Sequence, residues 1–256
     1  MPGPEDFYDA LAPFYHLIFP DWEASIARQA AALDQVIRAE ADVGGERTVL
    51  DLACGIGTQA LGLAALGYRV TASDLSPGAV RRLRDEAARR GLTIDAKVAD
   101  MRWAWDAHGR VFDIVLCADN ALPHLLTDGE ILDALRDFRR CTAPGGICLV
   151  SIRDYESIDL QTARMHPHGV REEDGARWVL FQVWDPRPPL YETSMYVVED
   201  RGGAGAQTRV MRATYYALPV PRLIELMREA GFDDVRRLDG AFYQPLVIGR
   251  RPAHEG

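Results

Sequence analysis

The chain begins with two segments that carry apolar residues at helical spacing, and then alternates apolar runs with amphipathic segments. The two helical segments are residues 5–18 and 22–41, and in the second Ile26 and Ile37 fall on one face. Apolar runs that alternate with helices are typical of a parallel sheet covered on both faces. The predicted strands are 47–53, 68–73, 93–99, 111–117 and 146–152, and the predicted helices between them are 58–66, 77–90 and 128–141.

The pattern changes after Tyr155. Three segments alternate or carry aromatic and β-branched residues, and turn sequences join them, which predicts an antiparallel meander. A helix at 219–230 and strands at 233–238 and 242–249 return the chain to the first sheet. We therefore predict an α/β fold: a Rossmann-like, seven-stranded, mostly parallel sheet with helices on both faces, an N-terminal helical segment, and an antiparallel β lid inserted after the fifth strand. The meander segments are 176–185, 190–199 and 207–216, and the predicted boundaries are 1–42 for an N-terminal cap, 43–155 and 215–256 for the core, and 156–214 for the lid.

A glycine turn follows the first predicted strand. The sequence from Thr48 to Thr58 reads T-V-L-D-L-A-C-G-I-G-T, so that Gly55 and Gly57 stand between a strand and a helix. Glycine permits a positive φ and lets backbone amides approach a ligand closely. The spacing also fits the dinucleotide fingerprint, but Asp51 ends the strand just before the turn, where a carboxylate would repel a pyrophosphate. The carboxylate suits a ligand with a cationic group, so we expect S-adenosylmethionine here rather than a dinucleotide.

Charge and composition disfavour several other classes of function. The chain has 256 residues and a net charge of −9, which disfavours nucleic acid as a partner. Lys97 is the only lysine, and no G-x-x-x-x-G-K-[ST] loop occurs. No apolar run approaches the ~18–20 residues that span a bilayer, and the N-terminus has no basic region for export, so we expect a cytoplasmic protein with no membrane partner. The four cysteines have no Cys-x-x-Cys pair; we expect buried free thiols and no metal site.

An acid at the end of the second predicted strand is suited to a ribose. Asp74 follows Gly57 by seventeen residues, and a carboxylate there can accept hydrogen bonds from both ribose hydroxyls. Asp74 could instead cap the next helix, but Ser76 can do so itself. We therefore favour the ribose role.

A second acid follows the third strand. Asp100 could accept a hydrogen bond from the exocyclic amine of adenine, with Met101 and Trp103 as an apolar wall for the ring. The alternative is an exposed loop acid. Three smaller residues beside the strand ends complete the candidate cofactor contacts: Ala53, Leu75 and Ala118.

Together these segments resemble the ordered motifs of class I S-adenosylmethionine-dependent methyltransferases. The resemblance covers about residues 45–153 and 215–250. It implies a methyltransferase that uses S-adenosylmethionine and releases S-adenosylhomocysteine. Ala53 stands where the family often has the first glycine of the turn, and alanine is small enough to leave binding credible. The matching segments are D-L-A-C-G-I-G-T, the acid of A-S-D-L-S, A-D-M-R-W, F-D-I-V-L and A-P-G-G.

A narrower set of segments is similar to the glycine and sarcosine N-methyltransferase group, in which the segment after the fifth strand forms an antiparallel lid. The resemblance implies that Asn120 and a lid arginine hold a substrate carboxylate, and that tyrosines surround the transferring methyl. Arg177 is the best positional match for the arginine, and Arg171 competes with it. The similar segments are Asn120-Ala-Leu-Pro-His124-Leu, Arg153-Asp-Tyr-Glu, Ala213-Thr-Tyr-Tyr216 and Phe242-Tyr-Gln-Pro245.

Few residues could act as a base. Methyl transfer to an amine mainly needs alignment at ~3–3.5 Å, exclusion of water and a neutral nitrogen. We expect His124 to pack against the cofactor more readily than to act as a base, and Asp119 either to remove a proton or to cap the strand end. His166 and His168 look like a metal pair, but without a third ligand we expect a mobile lid loop.

The remaining candidates are aromatic residues and one arginine. Tyr215 and Tyr216 point opposite ways on a strand, so only one can face the site, and we favour Tyr216. Tyr243, near the last strand, is a further candidate for the methyl pocket. Arg28, on the second helix, could hold the cofactor carboxylate or lie at the surface.

The sequence therefore predicts a small-molecule methyltransferase, and within that class an N-methyltransferase of an amino acid or related amine that works by in-line displacement. The open alternative is O- or C-methylation of a specialised metabolite on the same fold, because the lid determines the choice of substrate. An oxidoreductase is disfavoured by Asp51, and no damaged motif favours a silent binding protein. The expected partner is a small-molecule acceptor, and the N-terminal helices and the lid could mediate a homo-oligomer.

Overall fold

The computed structural model describes residues 3–41, 47–203 and 205–254. The predicted boundary at 42–43 between cap and core lies outside the described residues. Over the described ranges the strands form a mostly parallel sheet and a separate antiparallel sheet, which confirms the predicted fold class. None of the helices in these ranges is long and apolar enough to cross a membrane.

The N-terminal segment and the core contain most of the helices. The N-terminal elements are α1 (Pro4–Leu11), a 3-10 helix (Tyr15–Ile18) and α2 (Trp22–Glu40). The core elements are β1 (Thr48–Leu52), α3 (Thr58–Ala65), β2 (Arg69–Asp74), α4 (Pro77–Arg89), β3 (Asp95–Val98), α5 (Ala104–His108), β4 (Phe112–Cys117), α6 (Asp128–Cys141) and β5 (Thr142–Ser151). After the lid come α7 (Val220–Glu229), β10 (Asp233–Leu238) and β11 (Leu246–Arg250). The lid strands are β6 (Arg164–Glu173), β7 (Ala176–Arg187), β8 (Leu190–Asp200) and β9 (Gln207–Tyr216).

The larger sheet has the order β10-β11-β5-β4-β1-β2-β3. The strands from β5 to β3 pair in parallel, while β11 pairs antiparallel with both of its neighbours. Apolar clusters bury both faces, one against α2, α3 and α4 and the other against α6 and α7. The parallel strands therefore end at one common edge, where ligands of α/β sheets bind. The four cysteines are buried and unpaired, as predicted.

The lid has a strand that the sequence did not predict. Its order is β6-β7-β8-β9, and all neighbours are antiparallel. Pro167 and Gly169 made β6 look like a loop, but proline is tolerated in an edge strand, and the pairing shifts register between these two residues. The predicted mobile loop at His166 and His168 is therefore wrong, because both lie in β6.

Helix α1 lies against both the lid and the core. The predicted helix over 5–18 is interrupted after Leu11, just before Pro13, and resumes as the 3-10 helix. Asp9 Oδ1 accepts hydrogen bonds from Ser76 Oγ at 3.0 Å and from the Gly78 amide at 2.5 Å, which fastens α1 to the start of α4. The N-terminal segment thus covers the edge at which the parallel strands end.

Candidate active site

The glycine turn after β1 can bring its backbone close to a ligand. Gly55 and Gly57 have φ angles of +53° and +96°, which glycine adopts readily. A Cβ on Gly57 would lie 2.3 Å from Leu83 Cδ1, and one on Gly55 would lie 3.3 Å from Tyr15 Cε1. Ala53 also has a left-handed conformation, with φ +59°, which explains why glycine suits this position. The turn therefore has no room for larger side chains, and its geometry fits a closely bound cofactor.

Two adjoining cavities lie at this edge of the sheet. The larger encloses about 230 Å³ and the smaller about 40 Å³. They adjoin at Tyr8, Ala53 and Asp74, which line both. The larger cavity also includes Leu75, Asp100, Met101 and His124, and the smaller includes Tyr15, Gly55, Thr58, Gln59, Ala118 and Asp119. Most of the predicted cofactor residues thus lie together.

Asp74 connects the glycine turn to the next helix. Its Oδ2 accepts a hydrogen bond from the Gly55 amide at 2.8 Å, and its Oδ1 accepts one from the Ser76 amide at 2.8 Å. Ser76 caps α4, as predicted, by accepting from the Ala79 amide. Burial raises the pKa of Asp74, and these backbone donors oppose that shift. Since each carboxylate oxygen can accept a further hydrogen bond, this carboxylate can also bind ribose hydroxyls.

Asp51 lies beneath the cavities and lines neither of them. It is 1% exposed, and its Oδ2 has no hydrogen-bond partner among the described residues. Burial, with a smaller contribution from Asp74, raises its pKa to about 8. The carboxyl therefore holds a proton at neutral pH until a nearby cation favours the charged form. This orphaned group fits a cationic ligand above it, on which it would act through its field rather than by contact.

Of the predicted adenine contacts after β3, two line the larger cavity and one does not. Asp100 lines the larger cavity with Met101, but its Oδ2 also accepts a hydrogen bond from Arg102 Nη2 at 2.6 Å. The prediction for Trp103 is wrong: it is 63% exposed and does not line the cavity. Arg102 lines the cavity in its place, because the 3-10 turn at Met101–Trp103 directs the indole away.

Arg28 lies outside the two adjoining cavities. It is exposed, it donates to Ser25 Oγ at 2.9 Å, and it lines a separate cavity with Phe242 and Tyr243. Its neighbour Gln29 is buried instead and accepts a hydrogen bond from Gln59, at the start of α3. The structure thus places Arg28 at the surface, the second of the two predicted roles.

An aromatic cluster closes the far end of the larger cavity. The Tyr8 hydroxyl lies 2.9 Å from His124 Nε2 and 3.2 Å from the Tyr215 hydroxyl. The His124 and Tyr215 rings are 4.0 Å apart. Burial, and then the charge of Arg153, lowers the pKa of His124 to about 3. His124 is therefore a neutral hydrogen-bonding group here, as expected of a packing residue, and a weak base.

The choice of Tyr216 over Tyr215 is wrong. Tyr215 is buried in the cluster, and its ring also stacks on Tyr191 at 5.3 Å. Tyr216 is on the opposite side of β9, where its hydroxyl donates to Asp128 Oδ1 at 3.0 Å. The alternation of a strand was correctly inferred, but which face meets the site depends on how the lid packs.

Arg153 is an arginine of this region to which the sequence prediction gave no role. Its Nη1 donates to the Tyr191 hydroxyl at 2.8 Å, and its guanidinium lies 4.8 Å from the centre of Trp184 and 5.4 Å from that of Tyr215. Among the described residues no carboxylate forms a salt bridge with it. The sequence did offer a signal, since Arg153 follows the end of β5, at the edge where the other site residues lie.

Asn120 lies beside Arg153 and is hydrogen-bonded to its backbone. It follows β4 with a φ of +63°, and its Oδ1 accepts hydrogen bonds from the Arg153 amide and the Tyr155 hydroxyl, each at 2.9 Å. Its Nδ2 is buried without a partner among the described residues. The amide orientation is therefore fixed by two contacts, and its donor side has no partner among the described residues.

The lid arginines predicted for this role lie elsewhere. Arg177 is exposed at one end of β7 and pairs with Glu172 at 3.2 Å, so the structure contradicts its assignment. Arg171 donates to backbone carbonyls, including that of Phe19 at 3.0 Å. The positions of both arginines follow from the register of the four lid strands, which could not be predicted from the sequence.

Asp119 joins the cluster to the last strand. The Tyr243 hydroxyl donates to its Oδ1, which places Tyr243 beside the smaller cavity although much of its ring is exposed. Burial raises the pKa of Asp119, and the Tyr243 hydrogen bond and the charge of Arg153 oppose this. Asp119 is thus held as a structural acceptor at the edge of the cavity.

The two lid histidines pack around the same region. His166 lies 3.9 Å from Trp184, ring centre to ring centre, and the Nε2 atoms of His166 and His168 have no hydrogen-bond partner among the described residues. Over the same residues no third histidine, cysteine or acid joins them in a metal-binding group.

Comparison with known proteins identifies the core. A family model described as a methyltransferase domain matches residues 49–146. This stretch is a methyltransferase domain. It contains the glycine turn, Asp74, Asn120 and His124. The predicted methyltransferase class is confirmed for this domain.

Curated relatives extend the comparison to whole proteins. A glycine/sarcosine N-methyltransferase of Parasynechococcus marenigrum is 32% identical over 139 residues, covering 54% of this chain and 48% of the relative. This match confirms the resemblance to the glycine and sarcosine group. A ubiquinone biosynthesis O-methyltransferase of Caulobacter vibrioides is 33% identical over 137 residues, covering 53% and 52%. The chain spans about half the length of these relatives.

A solved structure matches the fold almost throughout. CalS10 of Micromonospora echinaspora, an amino pentose methyltransferase with S-adenosylmethionine bound, has a TM-score of 0.76 and 20% identity. The match covers 94% of this chain and 96% of CalS10. The methyltransferase domain, the N-terminal helices and the lid thus form a known arrangement.

Proposed function

We propose that this chain transfers a methyl group from S-adenosylmethionine to the nitrogen of a small carboxylated amine, such as an amino acid. The single observation that carries the proposal is the guanidinium of Arg153. It lies among aromatic rings beside the cofactor cavities, and no carboxylate of the described residues pairs with it. Asp119 acts on Arg153 only through its field, without a salt bridge. A guanidinium that no carboxylate contacts in such a place is suited to an anionic ligand.

The acceptor would be oriented by two residues. Arg153 would hold its carboxylate by charge-assisted hydrogen bonds, and Asn120 would add a donor through its free Nδ2. These contacts fix one end of the acceptor, and the amine then lies toward Tyr8, His124 and Tyr215. Alignment of this kind supplies most of what a methyl transfer requires.

The cofactor would be held by the turn and the strand ends. S-adenosylmethionine supplies an electrophilic methyl on a sulfonium that is already a good leaving group. Gly55 and Gly57 bring the backbone close, Asp74 accepts from the ribose, and Asp51 places a carboxylate beneath the cationic end. Tyr8 and Tyr15 cover the cavities and exclude water.

Among the residues described at the site, neither His124 nor Asp119 is suited to act as a strong base, and this favours nitrogen over oxygen as the acceptor atom. His124 has a pKa lowered to about 3 by burial, and Asp119 is already an acceptor for Tyr243. A neutral amine needs no base before it attacks, whereas most oxygen and carbon nucleophiles do. Enclosure in the cluster disfavours the ammonium form and helps keep the amine neutral.

Two alternatives come from the relatives. The O-methyltransferase of Caulobacter vibrioides suggests transfer to oxygen, and CalS10 suggests an amino sugar. An amino sugar has no carboxylate, so Arg153 would lack a role in that reaction. The resemblance to the glycine/sarcosine enzyme agrees with a carboxylated amine.

A panel of acceptors tests the proposal. Methyl-labelled S-adenosylmethionine is incubated with glycine, sarcosine, larger amino acids, ethylamine, an amino sugar and a phenol. We expect transfer to the carboxylated amines and little to ethylamine. Transfer only to the sugar or the phenol would contradict the proposal.

The variants Arg153→Met and Arg177→Met are the matched pair for the carboxylate contact. We expect Arg153→Met to lower kcat/KM for the amino acid by about 10- to 150-fold, the equivalent of ~1.5–3 kcal/mol for hydrogen bonds to a charged group. The affinity of Arg153→Met for S-adenosylmethionine should stay within about twofold of the wild-type value. Arg177→Met should behave as the wild type, and equal losses in both variants would mean that Arg153 has no special role.

A further inference from the structure

The lid sheet has a second face that the proposed reaction does not use. Along β7, Trp178, Leu180 and Trp184 are buried on the side that packs against the N-terminal segment. Since side chains alternate along a strand, the residues between them form the opposite, outer face. An antiparallel sheet with one face on the core normally presents polar residues on the other.

The outer face is instead apolar at its centre. Met165 is 60% exposed, Val170 is 53% exposed and Val210 is 36% exposed, although all three lie within strands. The pairing places Val170 beside Val179, and Val210 beside Tyr196, which is itself opposite Phe181. Met165 is opposite Val183, the next outward-facing position after Phe181 on β7, and Val179, Phe181 and Tyr196 are partly exposed. We name these six residues the outer patch: Met165, Val170, Val179, Phe181, Tyr196 and Val210.

An aromatic pair occupies the middle of the outer patch. Phe181 and Tyr196 are cross-strand neighbours on β7 and β8, and their rings stack at 4.7 Å with an angle of 6°. Rigid aromatic residues at the centre of a surface are typical of the residues that dominate binding between proteins.

Charged residues bound the outer patch at both ends. At one end Arg177 lies opposite Asp200 on the two middle strands, beside Glu172. At the other end Arg187 pairs with Glu192 at 3.8 Å. An apolar centre with a charged rim has the composition of a protein interface rather than of a solvated sheet face.

The size and charges of this face suit a second copy of the same chain. Strands of ten or more residues, in a sheet of four, give a face of about 19 by 33 Å, or about 600 Å² from each copy. Two such faces bury about 1,200 Å², which reaches the lower limit of stable interfaces. A two-fold axis along the strands, between β7 and β8, would place Arg177 of each copy over Asp200 of the other and Phe181 over Tyr196.

We propose that the outer patch is the interface of a two-fold symmetric homodimer in which two lid sheets pack face to face. Aligned packing of sheets is a common geometry, and two-fold dimers are the commonest oligomers. The active sites lie on the inner faces of the two sheets, so the dimer leaves both open to substrate.

Sedimentation velocity of the full chain tests the interface. The wild type should have twice the mass of one 28.4 kDa chain. Phe181→Glu should sediment as a single chain, because it places a charge at the centre of the interface. Val111→Glu, at a 44% exposed valine away from the lid, is the matched control and should remain a dimer.

A charge exchange at the rim gives a second test that does not depend on the folding of Phe181→Glu. Arg177→Asp should weaken the dimer at least tenfold, and the double variant with Asp200→Arg should restore it. A wild type of single-chain mass at about 100 μM would overturn the proposal. So would a dimer that persists in folded Phe181→Glu, or a charge exchange that fails to restore association.

Discussion

Gly57 and Gly67 have nearly equal φ angles but different surroundings. Alanine substitutions at these two positions therefore separate the cost of backbone strain from the cost of a steric clash. Gly57 has φ +96° and Gly67 has φ +90°, but a Cβ on Gly67 would meet nothing within 4 Å, whereas one on Gly57 would lie 2.3 Å from Leu83. We expect Gly67→Ala to lower the free energy of unfolding by about 1–2 kcal/mol through its backbone alone.

Gly57→Ala should cost more, and it should also weaken S-adenosylmethionine binding at least tenfold because the turn must move. Urea unfolding and calorimetric titration of both variants measure these effects. Equal stability losses, with cofactor affinity intact in Gly57→Ala, would show that the turn does not hold the cofactor.

The adjacent tyrosines of β9 form a second matched pair. Tyr215→Phe removes a hydroxyl from the cluster with Tyr8, so we expect kcat/KM to fall about five- to tenfold, the equivalent of ~1 kcal/mol for one hydrogen bond. Tyr216→Phe removes the contact with Asp128 and should leave kcat/KM unchanged. Steady-state kinetics on the same acceptor decides between them, and a loss confined to Tyr216→Phe would restore the original assignment.

Single residues differ in how far their sequence position reveals their role. The positions of Asp74, Gly55 and Gly57 beside the cavities were predictable because they depend on a short local pattern, a strand followed by a turn. Arg153 was not, because its neighbours Trp184 and Tyr215 come from lid strands whose register no local pattern specifies. A charged residue at the carboxyl edge of a central strand was nevertheless the available signal.

At the scale of elements, Asp9 links α1 to the start of α4 by hydrogen bonds. Asp9 accepts from Ser76 and from the Gly78 amide. Asp6 accepts, among the described residues, only from the amide of Gly3, the N-cap of the same helix. We expect Asp9→Ala to expose α1 to faster amide hydrogen exchange and to raise KM for S-adenosylmethionine several-fold. Asp6→Ala is the control and should change neither.

Asp9→Ala should have these effects because a hydrogen bond to a charged group contributes about 1.5–3 kcal/mol. That free energy is enough to shift a helix between docked and open positions. Hydrogen exchange followed by mass spectrometry would show whether α1 alone responds. Unchanged exchange in Asp9→Ala would mean that Phe7 and Leu11, both buried, hold the helix by themselves.

Elements were predicted best where their periodicity was uniform. The parallel strands and their helices match the prediction to within a few residues at most ends, because buried strands and amphipathic helices have distinct patterns. β6 was missed because Pro167 and Gly169 are loop signals whose meaning changes at a sheet edge. The division into cap, core and lid stays a prediction.

At the scale of the whole molecule, the buried carboxyl of Asp51 couples cofactor binding to pH. Its pKa is raised to about 8 in the folded protein, mainly by burial, against about 4 for an unfolded aspartate. Without ligand, the unfolded chain releases this proton first, so Asp51 lowers the free energy of unfolding as pH rises from about 4 to about 8. Above about pH 8 this loss in the free energy of unfolding does not increase further.

A bound cation reverses this effect because it lowers the pKa of the carboxyl. S-adenosylmethionine should therefore release a proton when it binds near pH 7, and its affinity should rise with pH until about 8 and then level off. Asp51→Asn should bind more weakly, without the proton release and without the pH slope.

Calorimetric titration of the chain with S-adenosylmethionine, in two buffers of different ionisation enthalpy near pH 7, tests the cofactor site most directly. The account predicts saturable binding to the wild type with net proton release that disappears in Asp51→Asn. No binding heat in either buffer, or identical proton exchange in the two proteins, would contradict it.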